Sequence, residues 1–446
     1  MGKGFIPLTP RFRRARFRND LRIDRSGGLA MALFSFQSSR RKFLASTGLA
    51  SGTVTAAAAG LQASAGWGKG TMETPDIYAR LGVRTHINAK GTYTYLTGSL
   101  MPPEVSQAME DASRHFVYLV ELQKKAGAKI AQLLGVDAAM VTSGAAGAIL
   151  LGTAACLTGN DPKRITQLPD ITGMKSEVII QKIHRTAFDH AIRNTGVRLV
   201  EVETLGDLDG AICEKTAMMY FLNSAQNHGT IGLEKWVEVG KQRGIPTFND
   251  AAADVPPVSH LSDYSMMGFD LVAFSGGKGL RGPQCAGLLL GRKDLIEAAI
   301  LNDCPYEDAI GRPCKVGKEE IVGMFVAVER YLRVDHEAEW KEWEQRLQAI
   351  EKTLSSVSGV QTGRFVPEVA NHVPHLYLKW DESEMGMTKA ECAKRLREGE
   401  PSIEVLEDDY PQGMSVTPFM MKPGEELIVA HRIKAIIEQA RAKARP

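Results

Sequence analysis

Phe269-Asp270-Leu271-Val272-Ala273-Phe274-Ser275-Gly276-Gly277-Lys278 passes from an apolar run into a serine, two glycines and a lysine. The run reads as a short buried strand, and the glycines break it just before the lysine. A second run, Ile245-Pro246-Thr247-Phe248-Asn249, closes on Asp250, 28 residues before that lysine. A third, Ala139-Met140-Val141-Thr142, opens into Ser143-Gly144-Ala145-Ala146-Gly147 and then an apolar helix. All three polar positions fall at the carboxyl end of a predicted strand. In a sheet of parallel strands that edge is where ligands bind.

The residue types define the ligand. A lysine condenses with an aldehyde, and an aspartate at a neighbouring strand end keeps a pyridine nitrogen protonated, so that the ring draws electrons from the reacting carbon. Small residues at a strand–helix junction leave amides free for a phosphate, which gives Ser143, Gly144 and Ala145 as contacts. Ser275 offers a hydroxyl to the same group, and the glycines before Lys278 let backbone approach the cofactor closely. The pattern points to pyridoxal 5′-phosphate, held by Lys278 and Asp250. His184, after the strand Glu177–Gln181, is a candidate to stack on the ring, against the alternative of a structural histidine; His190 is expected to pack on the next helix. The loop Asn223–Gly229 either positions cofactor or substrate or is plain polar loop. Asp254 either orients the Asp250 loop or caps a turn before Pro256-Pro257, and the cap is the reading expected. Arg312, in the basic loop Gly311–Lys318, is a candidate anion contact.

Between about residues 136 and 300 short apolar runs alternate with helical stretches. Strands are expected at Ala139–Thr142, Glu177–Gln181, Arg198–Val202, Ala217–Leu222, Pro246–Asn249, Leu271–Phe274 and Gly287–Leu290. Helices are expected at Val117–Leu134, Ala146–Leu157, Ala187–Asn194 and Leu233–Arg243. This alternation implies an α/β fold with a mainly parallel sheet covered on both faces. From Lys318 one long helical pattern reaches about Leu354. Strand signals follow at His375–Lys379 and Ile403–Leu406, and a final helix spans Gly424–Ala444. The expected organisation is a leader over 1–65, a linker and arm over 66–102, a large domain over 103–317 and a smaller α+β domain over 318–446.

The 446 residues are 44% hydrophobic and 24% charged, the balance of a globular protein. The net charge of +2 hides an uneven distribution, because Arg11 to Lys42 form a basic arm and the remainder is mildly acidic. No nucleic-acid surface is indicated in the body. Ser39-Arg40-Arg41-Lys42-Phe43-Leu44 reads as a twin-arginine export motif, followed by a weakly apolar stretch and the small-residue site Ala63-Ser64-Ala65. The apolar stretch is too short and polar for a membrane span, so the expected destination is the periplasm. Met31 would give a leader of ordinary length. The six cysteines show no CxxC spacing, so neither a zinc site nor a redox dithiol is indicated; free, mostly buried thiols are expected, with Cys304 and Cys314 the pair to compare first.

Taken together, Asn88–Gly91, Ser143–Gly147, His184–His190, Asp250–Ala253, Ser275–Gln284 and Gly311–Glu320 resemble the bacterial selenocysteine synthase group of fold-type-I pyridoxal phosphate enzymes, within the aspartate aminotransferase superfamily. Asp250-Ala251-Ala252-Ala253 leans toward the ammonia-lyase-like branch. The resemblance spans about residues 76–440. It implies a large cofactor domain, a smaller C-terminal domain and a homo-oligomer sharing its sites through the Arg312 loop. For activity it implies a lyase that eliminates across Cα and Cβ of an amino acid or amino sugar acid and releases ammonia. A racemase, an aminotransferase or a non-catalytic cofactor-binding paralogue are the alternatives. Two departures matter. The tRNA-binding segment of selenium transferases is replaced by an export leader, and Gly413–Lys422 lacks the arginine that many superfamily members use for the substrate carboxylate.

Overall fold

The structure, a computed structural model, describes residues 76–407 and 413–444. The leader, with Arg40, Arg41 and Ala63-Ser64-Ala65, lies outside them. Among the described residues no helix is long and apolar enough to cross a membrane.

Twelve strands are described: β1 His86–Asn88, β2 Ala138–Thr142, β3 Glu177–Gln181, β4 Arg198–Val202, β5 Thr216–Leu222, β6 Thr247–Asp250, β7 Leu271–Ser275, β8 Gly287–Gly291, β9 Gln361–Phe365, β10 His375–Lys379, β11 Ser402–Glu404 and β12 Met414–Val416. Seven form the main sheet in the order β2-β8-β7-β6-β5-β3-β4. The β3–β7 neighbours pair in parallel, and β8 runs antiparallel to both β7 and β2. The carboxyl ends of β2, β3, β5, β6 and β7 therefore share one edge. The central strands are buried on both faces, which is why they read as continuous apolar runs.

Helices cover both faces. The apolar helix Gly144–Thr158 and the helix Lys293–Leu301 bury one, through Ile149, Leu151, Ala154, Ile296 and Ala299. The helices Leu119–Leu134, Leu233–Arg243 and Lys318–Tyr331 bury the other around Phe221, Trp236 and Met324. Alternation along β5 sends Tyr220 to the first face and Phe221 to the second.

Two boundaries differ from the sequence expectation. The pattern from Lys318 is two helices, Lys318–Tyr331 and His336–Leu354, because the Asp335 side chain accepts from Ala338 N–H and starts a new helix. The first of these packs against Pro103–Ser113 and Leu119–Leu134 and belongs to the large domain. The small-domain core is built from His336–Leu354, Lys389–Glu398, Glu425–Ala444 and strands β10 and β12, and it recruits the arm: β1 pairs in parallel with β11, Ile87 opposite Ile403. The expected helix Ala187–Asn194 is a 3-10 turn and one short helical turn, with His190 exposed rather than packed. All six cysteines are free, but only Cys392 is buried; Cys213 and Cys285 are exposed.

Candidate active site

Lys278 sits in the tight turn after β7, with its amine half-buried. Burial lowers its pKa, while the negative charges of Asp250 and Asp254 pull it back up. An amine with a lowered pKa spends more time as the free base, the form that attacks a carbonyl or accepts a proton. The flanking glycines have a different role from the one expected. A Cβ on Gly276 would meet Met324 and the Ala286 carbonyl, one on Gly277 would meet Gln284, and one on Gly279 would run into the Val255 carbonyl. Protein, not cofactor, fills those spaces. The turn is also held from the arm, since Ser99 Oγ donates to the Gly277 carbonyl at 3.0 Å.

Asp250 ends β6 and is 5% exposed. Tyr220 Oη donates to its Oδ2 at 2.8 Å, and the Ala252 N–H donates to Oδ1 at 3.1 Å. Burial pushes its carboxyl above the ordinary carboxylate value, while the Tyr220 hydroxyl, the Lys278 charge and the Ala252 amide favour the anion. The sequence marks Tyr220 only as a strand residue. A buried phenol needs a polar partner, and that requirement was the one available signal.

Asp254 is not a turn cap. It is buried beside the same lysine, with Asn223 Nδ2 donating to Oδ2 at 2.5 Å and the Ala370 backbone N–H also donating to it. Burial raises its carboxyl to about 7. Asn223 thus holds this carboxylate, and its Nδ2 also lies 2.8 Å from Tyr264 Oη.

Ser143 caps the helix Gly144–Thr158 without a side-chain bond to its amides. Gly144 takes φ +68°, and Ser143, Gly144 and Ala145 are half-buried, so the first amides of a 15-residue helix stay accessible beside the lysine edge. These amides and the helix dipole suit a phosphate. Ser275, half-buried at the end of β7, pairs with Gly287, which is also opposite Thr142. Ser275 and Ser143 therefore flank one strand end. The Cys314 thiol bonds to Ser143, so the Gly311–Gly317 loop runs beside this junction, with Arg312 exposed.

His184 does not join them. Its ring is fully buried, 4.4 Å from Phe221 in an edge-on contact, and Nδ1 accepts from Leu222 N–H at 3.2 Å. Burial lowers its pKa to about 4, so it is neutral. It lies on the Phe221 side of β5, opposite Tyr220, with no open ring face for stacking. The expectation of a stacked imidazole is corrected to a core histidine.

The described residues thus place an amine, a buried carboxylate and an open helix N-terminus at one sheet edge, the set that a pyridoxal phosphate needs. A family model for SelA, L-seryl-tRNA selenium transferase, matches residues 87–340. D-glucosaminate-6-phosphate ammonia lyase of Salmonella typhimurium is 30% identical over 380 residues, covering 82% of this chain and 99% of that protein. The chain belongs to the SelA family. Its members and fold-type-I relatives are pyridoxal-phosphate enzymes. A 5′-C-glycyluridine monooxygenase-decarboxylase from a Streptomyces species is 29% identical, over 83% of this chain and 93% of its own. The L-seryl-tRNA(Sec) selenium transferase of Aquifex aeolicus is 25% identical but covers 48% of this chain and 53% of its own. A solved D-glucosaminate-6-phosphate ammonia-lyase structure superposes with TM-score 0.72 over 82% of this chain and 99% of that one, at 30% identity. A NifS-like protein at 17% identity, TM-score 0.52, shares the fold over 79% of this chain and all of its own.

Proposed function

We infer that the chain is a pyridoxal-phosphate lyase that acts on an amino acid or amino sugar acid by α,β-elimination and releases ammonia. The observation that carries this is Lys278, an amine of lowered pKa between Asp250 and Asp254 at the sheet edge where the phosphate helix begins. Bound cofactor supplies the electron sink for the carbanion at Cα. Lys278 anchors it, then accepts the Cα proton at Nζ as general base. Asp250, fixed by Tyr220 and Ala252, offers its anionic oxygen to the ring nitrogen. The amides of Gly144 and Ala145, the Ser143 and Ser275 hydroxyls and Arg312 are the candidates for the phosphate. The ammonia-lyase relative, matched over nearly its whole length, favours elimination from an amino sugar acid. Selenium transfer to aminoacyl-tRNA is less supported, since the Aquifex selenium transferase is matched over 53% of its length. The test is borohydride reduction with peptide mapping, beside assays for ammonia, keto acid and substrate inversion. Label on Lys278 and stoichiometric ammonia are expected; label elsewhere, or inversion without ammonia, overturns the assignment.

We also propose export to the periplasm by the twin-arginine route, supported by Arg40-Arg41 and Ala63-Ser64-Ala65, and assembly as a homo-oligomer. Replacing both arginines by lysine should hold a precursor in the cytoplasm. Mature periplasmic protein from that variant would remove the export proposal, and a purified monomer the assembly proposal.

A further inference from the structure

A cavity of about 350 Å³ lies between the loops at the carboxyl edge of the large sheet and the small domain. Ser224 and Asn227, from the turn after β5, line it together with Lys90, Glu368 and Asn371. Two hydrogen bonds join its walls to the segments that carry Asp254 and Lys278. The Asn371 N–H donates to the Ala253 carbonyl at 2.9 Å, next to Asp254. The carbonyl of Phe419, another lining residue, accepts from Arg281 Nη2 at 3.1 Å, three residues beyond Lys278.

Lys90 is a cation that no described carboxylate neutralises. Asn88 Oδ1 accepts from the N–H groups of Lys90 and Gly91, both at 3.0 Å, and Asn88 Nδ2 donates to the Gly91 carbonyl at 2.9 Å. This closed turn fixes the backbone that carries Lys90. Its Nζ lies 5.5 Å from the Tyr93 ring and 5.7 Å from the Tyr95 ring. Aromatic faces hold an ammonium in place without cancelling its charge. Among the described residues Lys90 has no carboxylate partner. The other cations nearby are committed: Arg281 to Glu339 and Phe419, Arg364 to Glu344 and Glu351. The cavity's carboxylate, Glu368, accepts from Asn227 Nδ2 at 2.7 Å. His375 is driven by burial to about 4 and is neutral.

We propose that Lys90 receives the acid group of the substrate, a carboxylate or phosphate, and that Ser224, Asn227 and Glu368 receive its hydroxyls. The class is a polyhydroxylated amino acid, an amino sugar acid rather than an apolar one. The lysine and Glu368 differ in sign, so they sort the ends of an elongated ligand. Lys90 then fills the place left by the missing arginine in Gly413–Lys422. The proposal rests on the lyase reading for the amine end of the substrate.

Calorimetry on cofactor-loaded protein with three amine-free probes tests it. Gluconate carries only a carboxylate, glucitol 6-phosphate only a phosphate, and glucitol neither. Lys90→Met is expected to weaken one of the two anions by about 10- to 100-fold, the loss of one charged hydrogen bond, and to leave glucitol unchanged. Lys90→Arg should regain part of that affinity. Loss confined to gluconate assigns the carboxylate, and loss confined to glucitol 6-phosphate the phosphate. Unaltered visible absorbance of the bound cofactor checks the fold, with Lys90→Gln as a second variant. The proposal is overturned if neither anion binds the parent more tightly than glucitol, or if Lys90→Met and Lys90→Gln bind both as the parent does. Binding needs no turnover, so failure to release ammonia from any substrate would remove the lyase reading alone.

Discussion

Two buried carboxylates flank Lys278, and their surroundings separate their behaviour. Burial raises the Asp250 carboxyl too, but there the Tyr220 hydroxyl, the lysine charge and the Ala252 amide all oppose the rise and favour the anion. Asp254 is as deeply buried, feels the like charge of Asp250, and is raised to about 7. Its unfolded carboxyl titrates near 3.8. Below that pH both states hold the proton, and the site contributes nothing to pH dependence. Between about 4 and 7 the unfolded chain releases its proton first, so the folded parent loses stability as pH rises; above 7 the loss is complete. Asp254→Asn has no such titration. Any cost from placing an amide opposite the Ala370 N–H is independent of pH and cancels in the comparison. In the cofactor-free protein the stability of the variant relative to the parent should therefore rise from pH 5 to pH 8 by on the order of 2 kcal/mol. Denaturant midpoints at the two pH values measure it. A constant difference would mean that Asp254 does not titrate in this range.

At the scale of elements, what the sequence revealed follows from how local each signal was. β3, β4 and β10 begin and end where the sequence places them, because each is a short strand pattern bounded by polar turns and needs no distant partner to be recognised. β1 went unseen. It has three residues, and its partner β11 lies more than 300 positions along the chain. β8 was found as a strand but not as an antiparallel one, since Gly287–Gly291 is apolar whichever way it runs. The break before His336 depended on one capping side chain, Asp335, inside an otherwise continuous helical pattern. The same rule governs the site. The placement of Lys278, Asp250 and Ser143 at one sheet edge is legible because each sits in a short motif at a strand end. Tyr220 meets Asp250 across 30 positions, and Arg281 meets Phe419 across 138, so neither left a local mark. His184 carried the opposite lesson. A histidine after a strand reads the same whether its ring meets a cofactor or, as here, Phe221.

Across the whole molecule, one side chain ties the lysine turn to the small domain. Arg281 has φ +52°, a left-handed conformation that costs a non-glycine residue about 1–2 kcal/mol. Its N–H donates to the Lys278 carbonyl at 3.0 Å, so the unusual backbone closes the turn that carries the amine. The largely buried guanidinium reaches Glu339 at 3.4 Å, on the helix His336–Leu354, and lies 5.9 Å from the Phe419 ring while bonding its carbonyl. Strain of this kind persists where surrounding contacts over-determine it. The expected consequence is that small-domain position sets lysine position. Arg281→Gly removes both the tie and the strain, whereas Arg281→Ala removes the tie and keeps the strain. Gly should be more stable than Ala by about 1 kcal/mol in denaturant unfolding. If the tie positions Lys278, both variants should keep bound cofactor, lose about tenfold or more in kcat, and share a displaced pH midpoint of the cofactor's visible absorbance, because the amine no longer sits at its set distance from Asp250 and Asp254. Glu339→Gln, which leaves the Phe419 bond intact, should move that midpoint in the same direction by less. Parent-like kcat and midpoint in both Arg281 variants, with only stability altered, would reduce the contact to a static brace between domains.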